Sequence, residues 1–345
     1  MFGLAPTTPS SRARPVTSVI GGAGGSRRFG PRGAAPVPEP PVQNPIGARA
    51  SYLAYRAGAE LARVVPGSMA EPAARVIGQT MALAMPGRRR QVERNLRRAS
   101  GGALHGLALR KAVAGTFGSY GRYWLELFRL PDDVRGTLEI DMKGFEHVTS
   151  GLERGGGVIL ALPHVGGWDF GGAWLATQGL PPTVVVEPVE PPELFEWFAG
   201  VRRALGMTVV QLGPDAGKAV LQALRNNEIV CLLCDRDLVG DGIEVEFFGE
   251  RTTLPAGPAT LALRTGAPLL PAAVYFGPQG GHHARVMPPV PAQREGRLRD
   301  DVACVTQDLA HRFEELIRAA PEQWHLLQPN WPSDYTTNGS GAVGS

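Results

Sequence analysis

Cysteine and lysine are both scarce in this sequence. Three cysteines, Cys231, Cys234 and Cys304, cannot form a disulfide framework, and they favour a reducing compartment. Lysine occurs only at positions 111, 143 and 218, so arginine supplies nearly all of the 35 basic side chains. A net charge of +3 over 345 residues is too small to indicate a nucleic-acid partner, and we expect none.

Long hydrophobic runs are also missing. No stretch reaches the roughly 18 uninterrupted apolar residues of a membrane span, and residues 1–48 lack the apolar core of a secretory signal. That segment is rich in Pro, Gly, Ser and Arg, which favours disorder because little apolar burial offsets the entropy of ordering. We therefore expect a disordered leader over 1–48 and a flexible tail over 332–345, with a soluble or peripheral protein between them.

Residues 49–130 have the apolar periodicity of amphipathic helices. The spacing predicts helices over 51–65, 71–85 and 107–128, the first stopped by Pro66-Gly67 and the last rich in aromatic residues that suit packing. A basic run opens a further helix after Pro86-Gly87. Its members are Arg88, Arg89, Arg90, Arg94, Arg97 and Arg98. Such a cluster fits an anionic bilayer surface, or equally a solvated helix face.

From residue 131 to 331 strands and helices alternate. Strands are predicted over 138–142, 157–162, 183–186, 208–211, 229–234, 244–248, 269–276 and 284–287. Helices are predicted over 146–153, 169–177, 193–205, 218–225, 257–264 and 299–319. This order is typical of a single α/β domain with a mainly parallel, mixed central sheet flanked by helices.

Ligands of α/β sheets gather at the carboxyl ends of strands, so the residues there are candidates for chemistry. Pro163-His164 follows the buried strand 157–162, and Asp169 comes five residues after His164 across Gly166-Gly167. A continuous helix would place the pair about 140° apart, whereas a glycine turn can fold the carboxylate back onto the imidazole. His164 would then serve as a general base oriented by Asp169. The alternative is a helix cap beside an ordinary strand-end histidine.

Two further strand ends carry polar groups. Strand 229–234 runs into Asp235-Arg236-Asp237, and its two cysteines lie in an apolar strand with no partner pair, as core residues do. The strand over 244–248 leads through Gly249-Glu250 to a Thr-, Pro- and Gly-rich helix start at 252–258. That start could hold a phosphate or oxyanion, or be a simple cap.

Taken in order, these motifs resemble the lysophospholipid acyltransferase superfamily, and within it the bacterial lipid A lauroyl acyltransferase branch. The features shared with actinobacterial phosphatidylinositol mannoside acyltransferases are Leu162-Pro163-His164, Glu187, Arg202 before Leu205-Gly206-Met207, Val245 to Glu250, and Pro321 to Pro329. The resemblance covers roughly residues 51–331. It departs at Gly167-Trp168, where many relatives have Asn or Tyr.

The resemblance implies a peripheral enzyme on the cytoplasmic membrane face that moves an acyl group from acyl-CoA to a mannose of phosphatidylinositol mannoside. It implies His164 as base and Asp169 as its orienting group, with the Asp235-Arg236 pair in the catalytic surroundings, in a position to contact His164. Substrate-binding positions implied by the match are Glu187, Arg202, Arg236, Glu246 and Glu250. Direct attack on the thioester requires no metal and no cofactor beyond the co-substrate.

Other functions remain open from the residues alone. The acceptor could be another glycolipid or a lysophospholipid, or the protein could bind membrane lipid without catalysis. A serine esterase is disfavoured because the sequence has no G-x-S-x-G, and a dinucleotide-binding fold is disfavoured because the Gly-rich leader follows no convincing strand.

Overall fold

The computed structural model describes residues 45–133, 138–238, 240–277 and 281–335. Most of the predicted leader, and residues 336–345 of the predicted tail, lie outside these ranges. The described chain begins with four helices: α1 (Pro45–Val64), α2 (Gly67–Ala84), α3 (Pro86–Ala99) and α4 (Gly106–Asp133). Among the described helices, none combines the length and hydropathy that crossing a bilayer requires.

The α/β part follows, with its elements close to the predicted bounds. Its first half comprises β1 (Asp141–Lys143), α5 (Phe145–Glu153), β2 (Val158–Leu162), α6 (Trp168–Thr177), β3 (Thr183–Val186), α7 (Pro192–Ala204), β4 (Thr208–Gln211) and α8 (Ala216–Arg225). The second half comprises β5 (Ile229–Leu233), β6 (Ile243–Phe247), β7 (Glu250–Leu254), α9 (Gly257–Thr265), β8 (Leu269–Phe276), β9 (His282–Val286), α10 (Leu298–Ala319) and α11 (Pro332–Tyr335).

Seven of these strands form one mixed sheet in the order β1-β9-β8-β2-β5-β3-β4. The β8–β9 pair is antiparallel and the other pairs are parallel, which confirms the predicted mainly parallel, mixed sheet. Strands β2 and β8 are buried along their whole length, as the continuous apolar runs at 158–162 and 269–276 predict. The sheet therefore holds the carboxyl ends of β2 and β5 side by side in the core.

A separate hairpin, β6–β7, lies outside the main sheet. Its two-residue turn is Phe248-Gly249, and both residues have positive φ, at 54° and 75°. The sequence predicts β6 but places Phe248 inside it, and it does not predict β7. The segment Glu250–Leu254 carries mostly polar side chains, which hide its pairing with β6.

The described chain continues past residue 332, the predicted start of the tail, to residue 335. Trp331 is fully buried, its ring stacked on Phe247 at 5.6 Å between centroids. The guanidinium of Arg98 lies 4.1 Å from the Trp331 ring centroid, a cation–π contact from α3. Helix α11 follows directly, with Asp334 buried. The burial of Trp331, the last residue of the predicted domain, therefore anchors the chain next to α11.

Helices α2 and α4 cross at two glycines. A Cβ at Gly78 would lie 2.1 Å from the carbonyl oxygen of Phe117, and one at Gly121 would lie 2.2 Å from that of Ala74. These contacts are with backbone, so a side chain at either position forces the helices apart.

We therefore expect Gly121→Ala to destabilise the protein by about 1–3 kcal/mol, the usual cost of overpacking, although alanine is the better helix former. Gly217→Ala in α8 is the control, because a Cβ there meets nothing within 4 Å. Chemical denaturation of both variants measures the difference. Equal stability of the two variants would contradict the close crossing.

Candidate active site

The pairing of β2 with β5 determines the site. The two strands are parallel, with Leu162 opposite Leu233, and His164 and Asp235 each come two residues beyond these positions. The chain therefore brings His164 and Asp235 to the same carboxyl edge of the sheet, where α/β proteins bind their ligands.

Asp235 is the carboxylate partner of His164. The ring Nδ1 of His164 lies 2.5 Å from Asp235 Oδ1, and the backbone N–H of His164 donates to Asp235 Oδ2 at 3.1 Å. The indole Nε1 of Trp324 donates to the same Oδ2 at 2.8 Å. A single carboxylate thus holds together the His164 ring, the main chain of the loop that carries it and the C-terminal segment.

These contacts determine the charge of the pair. Complete burial of the Asp235 side chain raises its pKa by desolvation, but the His164 charge and the hydrogen bonds from His164 and Trp324 outweigh this, so the pKa lies below its ordinary value. Asp235 is therefore a carboxylate near neutral pH and accepts the Nδ1 proton of His164. With Nδ1 held by Asp235, Nε2 is the ring nitrogen left to take a proton from a substrate hydroxyl.

The loop that carries His164 is braced by the chain's C-terminal segment. His325 donates its N–H to the carbonyl of His164 at 2.8 Å, and Gly166 donates to the carbonyl of Gln323 at 2.9 Å. Gly166 has φ +61°, and a Cβ there would lie 2.2 Å from the Val274 carbonyl oxygen. Of the two glycines in the H-x4-D pattern, Gly166 is thus needed for this turn.

The expectation that Asp169 orients His164 is wrong. Asp169 lies in the first turn of α6. Its two carboxylate oxygens accept hydrogen bonds from Nε and Nη2 of Arg202, at 2.7 and 3.0 Å. The Tyr123 hydroxyl donates to it at 2.8 Å. The carboxylate is committed to α7 and α4, so it is neither a free catalytic group nor a simple helix cap.

A large cavity of about 720 Å³ opens beside His164. It is bounded largely by apolar side chains of the sheet and its helices, including Leu160, Leu162 and Phe198. Asp169 and three of the five predicted substrate-binding residues, Glu187, Arg202 and Arg236, also line it. Arg236 donates to the Glu187 carboxylate at 2.6 Å, so these two residues form an ion pair on the cavity wall.

The remaining two predicted substrate-binding residues do not reach this cavity. Glu250 accepts Nε of Arg98 at 2.9 Å and bonds the Ser333 hydroxyl, which joins the hairpin to α3 and α11. Glu246 is exposed, and its backbone N–H and carbonyl bond the side chain of Gln307 in α10. Both acids belong to the hairpin, which lies outside the main sheet.

Sequence reasoning missed two residues of the site. Trp324 and Tyr123 hold the two buried carboxylates, but they lie 89 and 46 residues away from Asp235 and Asp169. No local motif connects such distant positions. The resemblance already places Asp235 near His164, and the register of β2 against β5 explains the contact.

Comparison with known proteins supports an acyltransferase. The family model described as bacterial lipid A biosynthesis acyltransferase matches residues 48–333. A phosphatidylinositol mannoside acyltransferase of Mycolicibacterium smegmatis is 37% identical over 308 residues, which is 87% of this chain and 98% of the relative. One from Mycobacterium tuberculosis (strain CDC 1551 / Oshkosh) is 41% identical over 223 residues, 63% of this chain and 69% of the relative.

A more distant match is a lipid A biosynthesis acyltransferase of Haemophilus influenzae. It is 28% identical over 185 residues, 52% of this chain and 55% of the relative.

We expect Asp169→Ala to destabilise the protein by about 3–5 kcal/mol, because it leaves the largely buried Arg202 charge without its partner. The double variant Asp169→Ala/Arg202→Met should recover much of that loss, because it removes the unpaired charge. Chemical denaturation of Asp169→Ala, Arg202→Met and the double variant measures the coupling free energy between the two side chains. Additive losses would show that the pair does not act as a unit.

Proposed function

Because the chain belongs to the bacterial lipid A biosynthesis acyltransferase family, we propose that it transfers a fatty acyl group from acyl-CoA to a mannose hydroxyl of phosphatidylinositol mannoside. The acceptor is taken from the names of the mycobacterial relatives. The observation that carries the chemistry is the His164–Asp235 pair at the wall of a large apolar cavity.

In the proposed reaction His164 Nε2 takes the proton of the acceptor hydroxyl while the oxygen forms a bond to the thioester carbonyl carbon. The attack leaves a negative charge on the former carbonyl oxygen; the carbonyl then re-forms as the carbon–sulfur bond breaks, and the sulfur takes the proton that His164 received, so that CoA leaves as the thiol. Asp235 stabilises the imidazolium formed between these steps, since its carboxylate already binds Nδ1. The route uses acyl-CoA as co-substrate, and no step passes through a metal or another cofactor.

The large cavity suits the acyl chain. Strands β2, β3 and β5 contribute apolar side chains to it, and His164 stands on its wall. Transfer of a hydrocarbon tail from water to such a lining is favourable by roughly 25 cal/mol per Å² of apolar surface buried. The thioester carbon would then lie at the end of the chain nearest His164, in position for attack.

We also propose that the enzyme works as a peripheral protein on the cytoplasmic face of the membrane. Helices α1 and α2 expose apolar side chains that no described residue covers: Leu53, Leu61, Val64, Met69, Val76, Ile77 and Leu83 are each at least 60% exposed. Both helices are amphipathic in sequence. An apolar face of this kind fits the headgroup boundary of a bilayer.

The arginine cluster of residues 88–98 divides between two roles. Arg94 donates to the Asp334 carbonyl at 2.9 Å, and Arg98 pairs with Glu250 and Asp334, so these two tie α3 to the C-terminal segment. Arg88, Arg89, Arg90 and Arg97 are exposed and directly follow the apolar helices. In our proposal these four meet anionic lipid headgroups.

The first test is transfer of labelled palmitate from its CoA thioester to phosphatidylinositol mannosides, lysophospholipids or water. We expect mannoside acylation by the parent and its loss in His164→Ala by at least about 100-fold, because the base is gone. His311→Ala, at an exposed histidine of α10, is the matched control and should keep activity. If the enzyme acylates only other lipids, the proposed chemistry stands and the proposed acceptor is wrong. Unchanged transfer in His164→Ala would overturn the mechanism, and lipid binding without transfer would favour a non-catalytic role.

Asp235→Asn tests the orienting carboxylate. The amide keeps the size of the side chain but loses its charge, and its NH2 group must face either the His164 ring or the two N–H groups at Oδ2. We expect kcat to fall by about 100-fold or more, with little change in the KM for acyl-CoA. A fall in binding with kcat retained would assign Asp235 to substrate binding instead.

The membrane proposal predicts that Val76→Glu/Ile77→Glu weakens binding to vesicles of phosphatidylinositol and phosphatidylcholine, because it puts two charges on the apolar face. Gln222→Glu/Thr177→Glu introduces the same two charges on exposed positions of the α/β part and should bind as the parent does. Flotation with vesicles at increasing salt separates the contribution of the apolar face from that of the exposed arginines, since salt weakens only the second. Equal binding of the two double variants would contradict the α1–α2 surface.

A further inference from the structure

A second, smaller cavity of about 130 Å³ also borders His164. The aromatic rings of Tyr120, Tyr123, Trp124 and Trp168 line it, together with Arg236 and His325. His164, Trp124, Trp168 and Arg236 border both cavities, whereas Tyr120, Tyr123 and His325 border the smaller one alone. The histidine thus stands between a large apolar space and a small aromatic and polar one.

Three of the described residues that line this small cavity carry buried nitrogens without a hydrogen-bond partner. Three buried side-chain nitrogens in the described part of the chain lack a hydrogen-bond partner: Trp168 Nε1, Arg236 Nε and His325 Nδ1. All three belong to residues that line the small cavity. A buried polar group without a partner costs about 1–3 kcal/mol, so three around one space indicate that a ligand supplies the missing partners.

The chemistry of His325 specifies what kind of oxygen fits. Burial and the nearby His164 lower the pKa of His325 to about 3, so the ring is neutral and carries one proton. Its Nε2 lies 2.9 Å from the Ser119 hydroxyl, which can donate or accept. Nδ1 is therefore a donor in one tautomer and an acceptor in the other. A hydroxyl group bonds Nδ1 in both tautomers, whereas a carbonyl oxygen bonds it in only one.

Resting on the proposed function, we propose that the smaller cavity is the acceptor subsite. It holds the sugar ring whose hydroxyl reacts, with the neighbouring ring oxygens bonded to Trp168, Arg236 and His325. Aromatic faces pack against the C–H edges of a sugar while N–H groups meet its hydroxyls. The acyl chain in the large cavity and the sugar in the small one would then meet at His164, which borders both.

Two substitutions remove the proposed contacts while keeping an aromatic ring. His325→Phe removes Nδ1, and Trp168→Phe removes the indole N–H but keeps the ring that stacks on Tyr123 at 4.2 Å. Ser119→Ala is the control for His325→Phe, since it breaks the same Ser119–His325 bond, and Ser119 is not among the residues that line either cavity. Trp174→Phe on the same helix is the control for Trp168→Phe.

The measurement is steady-state kinetics with acyl-CoA and phosphatidylinositol mannoside varied separately. We expect each test variant to raise the KM for the acceptor about fivefold, the equivalent of roughly one hydrogen bond, and to leave the KM for acyl-CoA within twofold. Methyl α-D-mannopyranoside should inhibit the parent competitively against the acceptor and more weakly in the variants. Both controls should behave as the parent.

Three results would overturn the proposal. A fall in kcat with both KM values unchanged would assign the nitrogens to the thioester oxygen. An equal effect of Ser119→Ala would make the role of His325 structural. Saturation-transfer NMR with methyl α-D-mannopyranoside separates failure of this inference from failure of the proposed function. Binding that weakens in His325→Phe supports the subsite even if the parent transfers no acyl group, and absence of binding to the parent removes it.

Discussion

The buried carboxylate of Asp235 is the constraint on which the centre of the molecule depends. A charge removed completely from water is tolerated only when hydrogen bonds satisfy it, and its partners come from two distant parts of the chain. The His164 ring and backbone arrive from the end of β2, and Trp324 arrives from the segment after α10. The same contacts that make the ion tolerable also orient the His164 ring. In the proposed mechanism, folding and catalysis therefore rely on one set of hydrogen bonds.

The second buried carboxylate has a different task. Asp169 joins three helices, because it starts α6 and bonds Tyr123 of α4 and Arg202 of α7. The Tyr123 ring in turn stacks on Trp168, the neighbour of Asp169 in sequence, and Trp168 meets the His164 ring edge-on at 5.4 Å. Asp169 is thus connected to His164 through Tyr123 and Trp168, and the H-x4-D spacing places an aromatic ring rather than the carboxylate against the imidazole.

The sequence predicts the strands well and the carboxylate partners poorly, for a physical reason. Strands such as 183–186, 208–211 and 269–276 are short apolar runs bounded by turns, and this local pattern determines their limits. Whether His164 meets Asp169 or Asp235 depends on which strand lies beside β2, a property of the whole sheet. The packing of Trp331 is equally non-local, because the ring stacks on Phe247 of a hairpin that the sequence predicts only in part.

The C-terminal segment contacts both the His164–Asp235 pair and the small cavity. Trp324 bonds Asp235 while its neighbour His325 bonds the His164 carbonyl and presents a neutral ring to the small cavity. Successive residues of an extended segment point in opposite directions, so one segment can serve the base on one side and a ligand on the other. In the proposed reaction an acyl donor and a sugar acceptor approach the His164 ring from different directions. Trp324 and His325, as consecutive residues beside that ring, would meet this requirement with a single stretch of chain.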